Sequence, residues 1–389
     1  MKHIYLNNAA TTWPKPPAVA DAVYRFMTQD GANASRGSAS ERDLKSLGLL
    51  FAVREQAAEM FGGYEDAAPQ YVTFTQNVTH SLNIVLKGYL KRGMRVLTTS
   101  VEHNSVIRPL RELETGGVRV EIMRCSAKGF LSPKTLDEAL KEHADMVVMT
   151  HCSNVSGSLQ PIEEAALICA KRVVPLVVDC AQTAGIIDIN AKDLGLSALC
   201  FTGHKGLMGP QGTGGIVWKP DFAEKCSPLA VGGTGSLSHE ETQPGLMPDK
   251  FEAGTPNLPG LAGLNAAFEY LKDKTPAAIA ETERKLGERL EEGLLRIDGL
   301  HIAGAVRGEG PRLPVYSFNI DGKDNGILAR NLSDVFGIES RPGLHCSPLA
   351  HRTLGTFPQG ALRLSPGCFN TAEEIDMTVE AVRELQKRS

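Results

Sequence analysis

Phe201-Thr202-Gly203-His204-Lys205 decides the fold when set beside Leu176-Val177-Val178-Asp179, the apolar run whose carboxylate lies 26 residues before the lysine. A lysine amine can join an aldehyde as an imine. A carboxylate closing a strand can keep an aromatic ring nitrogen protonated, so that the ring draws electrons from whatever the imine carries. Those two requirements are the ones pyridoxal phosphate chemistry makes of a protein. Taken singly, the lysine reads as solvated and the aspartate as a cap or loop residue. Gln182, three residues after Asp179, and His204, adjoining Lys205, turn the stretch into a pattern.

Outward from this pair the chain alternates strands and helices. Strands are predicted over 71–75, 95–99, 118–123, 146–150 and 176–179, with helices over about 81–90 and 107–114 and others between the later strands. Short β-rich runs joined by helical segments predict an α/β fold with a largely parallel sheet, which gathers ligands at the C-terminal ends of its strands. The texture changes after Gly254. Helices over 261–271 and 279–295, an alternating strand over 315–320 and a last helix over 372–387, opened by Thr371 with Glu374 as its capping-box partner, predict a smaller α+β unit. The expected division is a large domain over 15–260 and a small one made of 1–14 and 261–389. Gly209, Gly212, Gly214 and Gly215 lead into Ile216-Val217-Trp218. A dinucleotide loop would precede a helix, so these glycines are read as flexible structure beside the lysine.

Composition limits the partners. The 389 residues are 42% hydrophobic and 22% charged, and 41 basic against 45 acidic side chains leave a net charge of −4. This balance gives no footprint for nucleic acid or a membrane surface. The start, Met1-Lys2-His3-Ile4-Tyr5-Leu6-Asn7-Asn8, turns polar too early for a secretory leader, and no apolar run approaches the roughly 20 residues that span a bilayer. The eight cysteines, at 125, 152, 169, 180, 200, 226, 346 and 368, form no CxxC pair and read as reduced thiols, so a cytoplasmic location and no metal site are expected.

Ordered motifs along the chain carry a family resemblance: Tyr5 to Thr12, Glu102-His103-Asn104-Ser105, Ser153 to Gly157, Asp179 to Gln182, Thr202 to Lys205, Phe251 to Asn257, and Arg341-Pro342-Gly343-Leu344-His345-Cys346. Together they resemble the class V aminotransferase group of fold-type I pyridoxal phosphate enzymes, and within it cysteine desulfurases of the SufS-like kind and selenocysteine lyases. The resemblance implies that His103 stacks on the cofactor ring and relays protons, and that Asn154 and Gln182 bond its phenolic oxygen. It implies that Thr79, Thr202 and His204 hold the phosphate beside a helix start. Gly254 and Thr255 would reach the phosphate from a partner subunit, implying a homodimer.

Cys346 sits in a polar turn, whereas Cys169, Cys180 and Cys200 lie in apolar runs. The resemblance makes Cys346 the nucleophile that takes sulfur from L-cysteine, leaving an enzyme persulfide and alanine. His345 or His103 would assist the thiol. Arg363 would grip the substrate carboxylate in the planar, bidentate manner of a guanidinium, with Arg341 as a second candidate. Lys205 would carry the substrate's α-proton. Three departures stand out: Ser35-Arg36-Gly37 replaces a usual His-Arg-Gly, a change expected at the substrate entrance or acceptor docking; His80 replaces a usual Glu, a change expected to touch only the surface; and Ser347-Pro348-Leu349-Ala350-His351 places an extra imidazole five residues past the thiol. The rival functions are a selenocysteine lyase acting on L-selenocysteine, a class V transaminase and a noncatalytic sulfur-transfer scaffold. A sulfur-acceptor protein is the expected partner of a desulfurase.

Overall fold

A computed structural model describes residues 3–34, 40–234, 236–237 and 239–388, so the Ser35-Arg36-Gly37 departure lies outside the described residues. Seven strands form the main sheet in the order Val72–Thr75, Gly214–Trp218, Ala198–Thr202, Leu176–Asp179, Met146–Thr150, Arg95–Thr99 and Arg119–Met123. All pairings are parallel except those of Gly214–Trp218, which runs against both of its neighbours.

The register follows from alternation. Val147, Met149, Leu176, Val178, Leu199 and Phe201 point into one apolar layer. Met146, Val148, Val177, Ala198 and Cys200 point into the other. A slip of one residue would exchange the two faces, and β-branched residues suit a sheet buried on both sides. The first layer is closed by helices that include Glu41–Met60 and Leu258–Lys274, the second by helices that include Val78–Tyr89 and Asn104–Thr115.

The glycine cluster corrects one expectation. Gly214 and Gly215 are strand residues, and a Cβ on Gly215 would stand 2.5 Å from the Phe201 ring and 2.7 Å from the Thr73 carbonyl oxygen. A Cβ on Gly209 would stand 2.8 Å from Leu264. Close packing, not flexibility, requires glycine at these positions.

A four-stranded antiparallel sheet, ordered Arg341–Gly343, Ala361–Leu364, Tyr316–Ile320 and Leu300–Ile302, packs with the helices Pro276–Leu294, Asn325–Phe336 and Ala372–Lys387 around a separate apolar cluster. The last of these helices has the expected capping box, with Thr371 and Glu374 bonding reciprocally. The chain start joins this part. Ile4–Tyr5 pairs in parallel with Ile338–Glu339, and Asn7 bridges to Ser365. No helix among the described residues is long and apolar enough to cross a membrane.

Candidate active site

The C-terminal edge of the parallel strands carries the predicted residues. Asp179 ends the Leu176–Asp179 strand, and Thr202 ends the neighbouring one, three residues before Lys205. The Asp179 carboxylate is 2% exposed and accepts from the Ala181 N–H at 2.9 Å and from the Ser105 hydroxyl at 3.4 Å. Burial raises its pKa, against the pull of Ala181, Lys205 and Ser105. Burial also brings the Lys205 ammonium down to about 8; Asp179 opposes this fall, and the charges of Arg363 and Arg341 deepen it. A lysine so placed has an appreciable neutral fraction near neutrality, which a nucleophilic amine requires.

The backbone under the lysine is tied to the chain start. The His204 carbonyl accepts from the Thr12 N–H, the Thr11 hydroxyl and the Lys15 ammonium, at 3.1, 3.0 and 2.6 Å. The Lys205 carbonyl accepts from the Thr12 hydroxyl at 2.8 Å. The sequence alone gives Lys15 no role. Its bond needs a meeting of segments 189 residues apart, which local spacing does not reveal.

His103 caps the Asn104–Thr115 helix, its Nδ1 accepting from the Ser105 N–H at 3.0 Å. Burial, with Lys205 and Arg341 nearby, lowers its pKa to about 3, so the ring is neutral with its proton on Nε2. Glu102, just before it, ties the sheet together. Its fully buried carboxyl bonds the Thr99 hydroxyl at 2.6 Å and the Thr150 N–H at 3.0 Å, joining the ends of two strands. Burial pushes it up to about 8.

Cys346 is the exposed cysteine of the eight; Cys125 and Cys368 are half-buried and the other five buried. It lines a cavity of about 250 Å³ with Thr79, His103, Asn104 and Arg108. Arg341 donates to its Sγ at 3.5 Å. His345 and Cys346 both adopt left-handed backbone, at φ 49° and 58°, a conformation costly outside glycine and held here by bonds to the surrounding loop. The Cys346 carbonyl accepts from the Asn104 N–H at 2.8 Å. Asn154 donates to the His345 carbonyl at 2.8 Å and accepts from the Ser347 hydroxyl at 2.7 Å. In this structure Asn154 therefore braces the thiol loop. His345 points inward, with both ring nitrogens engaged away from the sulfur, so it does not serve as the thiol's base.

Arg363 is 1% exposed and donates to the Asn154 carbonyl at 2.9 Å and to Asn7 Oδ1 at 3.1 Å, while its Nε is buried without a partner. Burial, reinforced by Arg341, lowers its pKa to about 9. Arg341 and Arg363 stand opposite each other across paired strands. Two adjacent guanidiniums, one with an orphaned donor, suit an incoming carboxylate.

The remaining residues are less closely gathered. Gln182 donates to the Ala9 carbonyl at 3.1 Å and shares a small cavity with Lys205 and Asn8. Thr202 is buried, with its hydroxyl 3.5 Å from the Thr213 carbonyl. His204 has a buried Nδ1 without a partner, and burial lowers its pKa to about 4. Thr79 is exposed in the first turn of the Val78–Tyr89 helix. Gly254 and Thr255 line a different cavity, with Gln76 and His80, apart from the one that holds Thr79 and Cys346. His80 is thus not a plain surface residue: its Nδ1 is buried and unpartnered beside this segment.

The chain is similar to known proteins over nearly its whole length. A probable cysteine desulfurase of Methanothermobacter thermautotrophicus is 31% identical, the match covering 98% of this chain and 94% of that protein. The cysteine desulfurase IscS of Serratia proteamaculans is 28% identical, over 98% of this chain and 92% of its own length. The apo structure of a cysteine desulfurase from Thermococcus onnurineus superposes with a TM-score of 0.92 at 31% identity, covering 99% of this chain and 95% of that one. The profile of the aminotransferase class-V family matches residues 4–378, and the chain belongs to that family.

Proposed function

We propose that this protein is a pyridoxal phosphate-dependent cysteine desulfurase that moves the sulfur of L-cysteine onto Cys346 and releases L-alanine. The observation that carries the proposal is Cys346 itself, an exposed thiol beside neutral His103 with a guanidinium on its sulfur. The names of the relatives favour desulfurase over selenocysteine lyase.

The residues present fit the cofactor. Asp179 is a buried carboxylate whose bonded partners are neutral donors, so a protonated ring nitrogen would supply the charge it lacks. His204, expected at the phosphate, keeps a buried nitrogen in need of a partner. Lys205 would hold the cofactor covalently, with Thr79, Thr202 and His204 at its phosphate, His103 against its ring, and Asn154 and Gln182 at its phenolic oxygen. When bound, pyridoxal phosphate supplies an aldehyde for the amine and a ring that withdraws electrons from the substrate's Cα.

The protein's own groups do the rest. Arg363, seconded by Arg341, binds and orients the substrate carboxylate. The Lys205 amine would take the α-proton and return a proton to carbon. Cys346 Sγ, as thiolate, attacks the substrate sulfur. The new S–S bond forms as the Cβ–S bond breaks, the electron pair passes to carbon, and carbon gains a proton to become the methyl group of alanine. An acceptor thiol then removes the persulfide sulfur.

A homodimer completes the proposal, with Gly254 and Thr255 serving the partner's phosphate. Exposed Leu44 and Phe51 support it: the apolar hollow they line shares Leu47 and Leu50 with the cavity that holds Gly254 and Thr255. Separate apolar clusters around the two larger sheets support two domains, but Leu261, Leu264, Phe268 and Leu271 pack in the first cluster, so the helix Leu258–Lys274 goes with the large domain and the expected boundary at 260/261 shifts past it. Free cysteines suit a reducing, cytoplasmic setting. The deciding test incubates the holoenzyme with L-cysteine, quantifies alanine and maps the persulfide after alkylation. A persulfide on a cysteine other than Cys346 refutes the assignment.

A further inference from the structure

Behind the thiol loop two histidines lie in contact with almost no exposure, His345 at 2% and His351 at 0%. Their ring centroids are 5.2 Å apart. His345 Nε2 lies 2.9 Å from the Arg341 carbonyl oxygen, His345 Nδ1 lies 3.2 Å from His351 Nε2, and His351 Nδ1 lies 2.7 Å from the Thr356 hydroxyl.

The chemistry of the ends fixes the direction of this chain. A carbonyl oxygen only accepts, so His345 Nε2 carries hydrogen. Burial lowers His345 to about 2 and His351 to about 4, helped in both by the Arg363 charge, so each ring is neutral and carries one N–H. His345 Nδ1 is then a bare acceptor, His351 Nε2 must donate to it, and the Thr356 hydroxyl must donate to His351 Nδ1. The bonds run one way, from Thr356 through His351 and His345 to the backbone of Arg341.

We propose that His351 is a positioning residue for the Cys346 thiol, acting with Thr356 through His345 to hold the left-handed turn in which Cys346 meets the Arg341 guanidinium. The chain grips this turn from beneath. Its far end is the residue whose side chain donates to Cys346 Sγ, and its middle is the residue that precedes the thiol. A left-handed pair of non-glycine residues persists only where the surroundings over-determine it. His351 lies on the Pro348–Thr353 helix and supplies a rigid link that a backbone turn alone lacks. The inference rests on Cys346 being the sulfur acceptor.

The test uses holoenzyme with L-cysteine, measuring kcat per bound cofactor, KM, and the rate of Cys346 alkylation by iodoacetamide. His351→Ala should lower kcat about tenfold, as expected from losing the buried hydrogen bond to His345 that reaches the thiol loop, with KM within about twofold and the cofactor absorbance unchanged. Alkylation should slow by a similar factor. His351→Gln, whose amide can still donate to His345, should recover most of both rates. Thr356→Val keeps the packing and removes only the first donor; it should show a smaller loss, and it decides the matter if His351→Ala does not fold. Wild-type kcat and alkylation in Thr356→Val together with His351→Ala, or in Thr356→Val alone where the alanine variant does not fold, overturns the proposal. So does a glutamine variant as slow as the alanine one. A Cys346→Ala protein that still desulfurates cysteine refutes the underlying function instead, so the two failures are distinct.

Discussion

Lys205 and Cys346 belong to one site but are held in unlike ways. Lys205 follows a buried strand end, and desolvation by its surroundings sets its charge: the ammonium falls to about 8 and the Asp179 carboxyl rises. Cys346 sits off the sheets in a left-handed turn and remains exposed, fixed by hydrogen bonds to its carbonyl and its neighbours. The sheet end controls protonation and the loop end controls position. A thiol that must pass its sulfur onward has to stay open to an acceptor, so it cannot be tuned by burial as the lysine is.

The largest effect expected is at the sheet end. Lys205→Ala should lose the borohydride-reducible link to the cofactor and all measurable turnover, and a pyridoxyl adduct found on another lysine of the wild type would falsify the assignment. Cys346→Ala should also stop alanine release from L-cysteine, yet keep the cofactor spectrum; loss of both together would erase the contrast between the two ends. Asp179→Asn keeps the shape and removes the charge. A charge-assisted hydrogen bond is worth about 1.5–3 kcal/mol, so turnover should fall about 10- to 150-fold in a protein that still binds cofactor.

A gentler test uses pH. The lowered pKa of Lys205 leaves the apo amine protonated below about 8 and nucleophilic above it. The rate at which apo protein forms its imine with pyridoxal phosphate should therefore climb with pH and level off above about 8, about two units below an ordinary lysine. A plateau reached only near 10 would show that burial does not tune the amine. Smallest of all, Thr371→Ala removes a helix cap that bonds neither Lys205 nor Cys346 and should cost about 1 kcal/mol in denaturant unfolding with kcat unchanged.

What the sequence reveals follows from how local each signal is. Val147-Val148 and Val177-Val178 announce strands because every residue in them is buried, and Asp179 and Lys205 are legible because strand ends place them. Thr371 and Glu374 are legible because a capping box spans three residues. The helix Glu41–Met60 escaped because its apolar residues face two ways, Val53 and Ala57 into the core and Leu44 and Phe51 outward, which blurs the helical period. The hold of Asn154 on the thiol loop spans 191 residues, and that of Asn7 on Arg363 spans 356. No local pattern encodes either contact.

The pairing of Ile4–Tyr5 with Ile338–Glu339 sets an order on the making of this protein. A ribosome adds roughly 5–20 residues each second, so the first strand waits on the order of tens of seconds for its partner to be synthesised. Until then Asn7 has no Arg363 to receive, and the carboxylate grip is unfinished. The nascent chain can complete its seven-stranded sheet, which ends at Trp218, long before it can seat a substrate. The grip on a substrate carboxylate thus waits on the meeting of segments 356 residues apart.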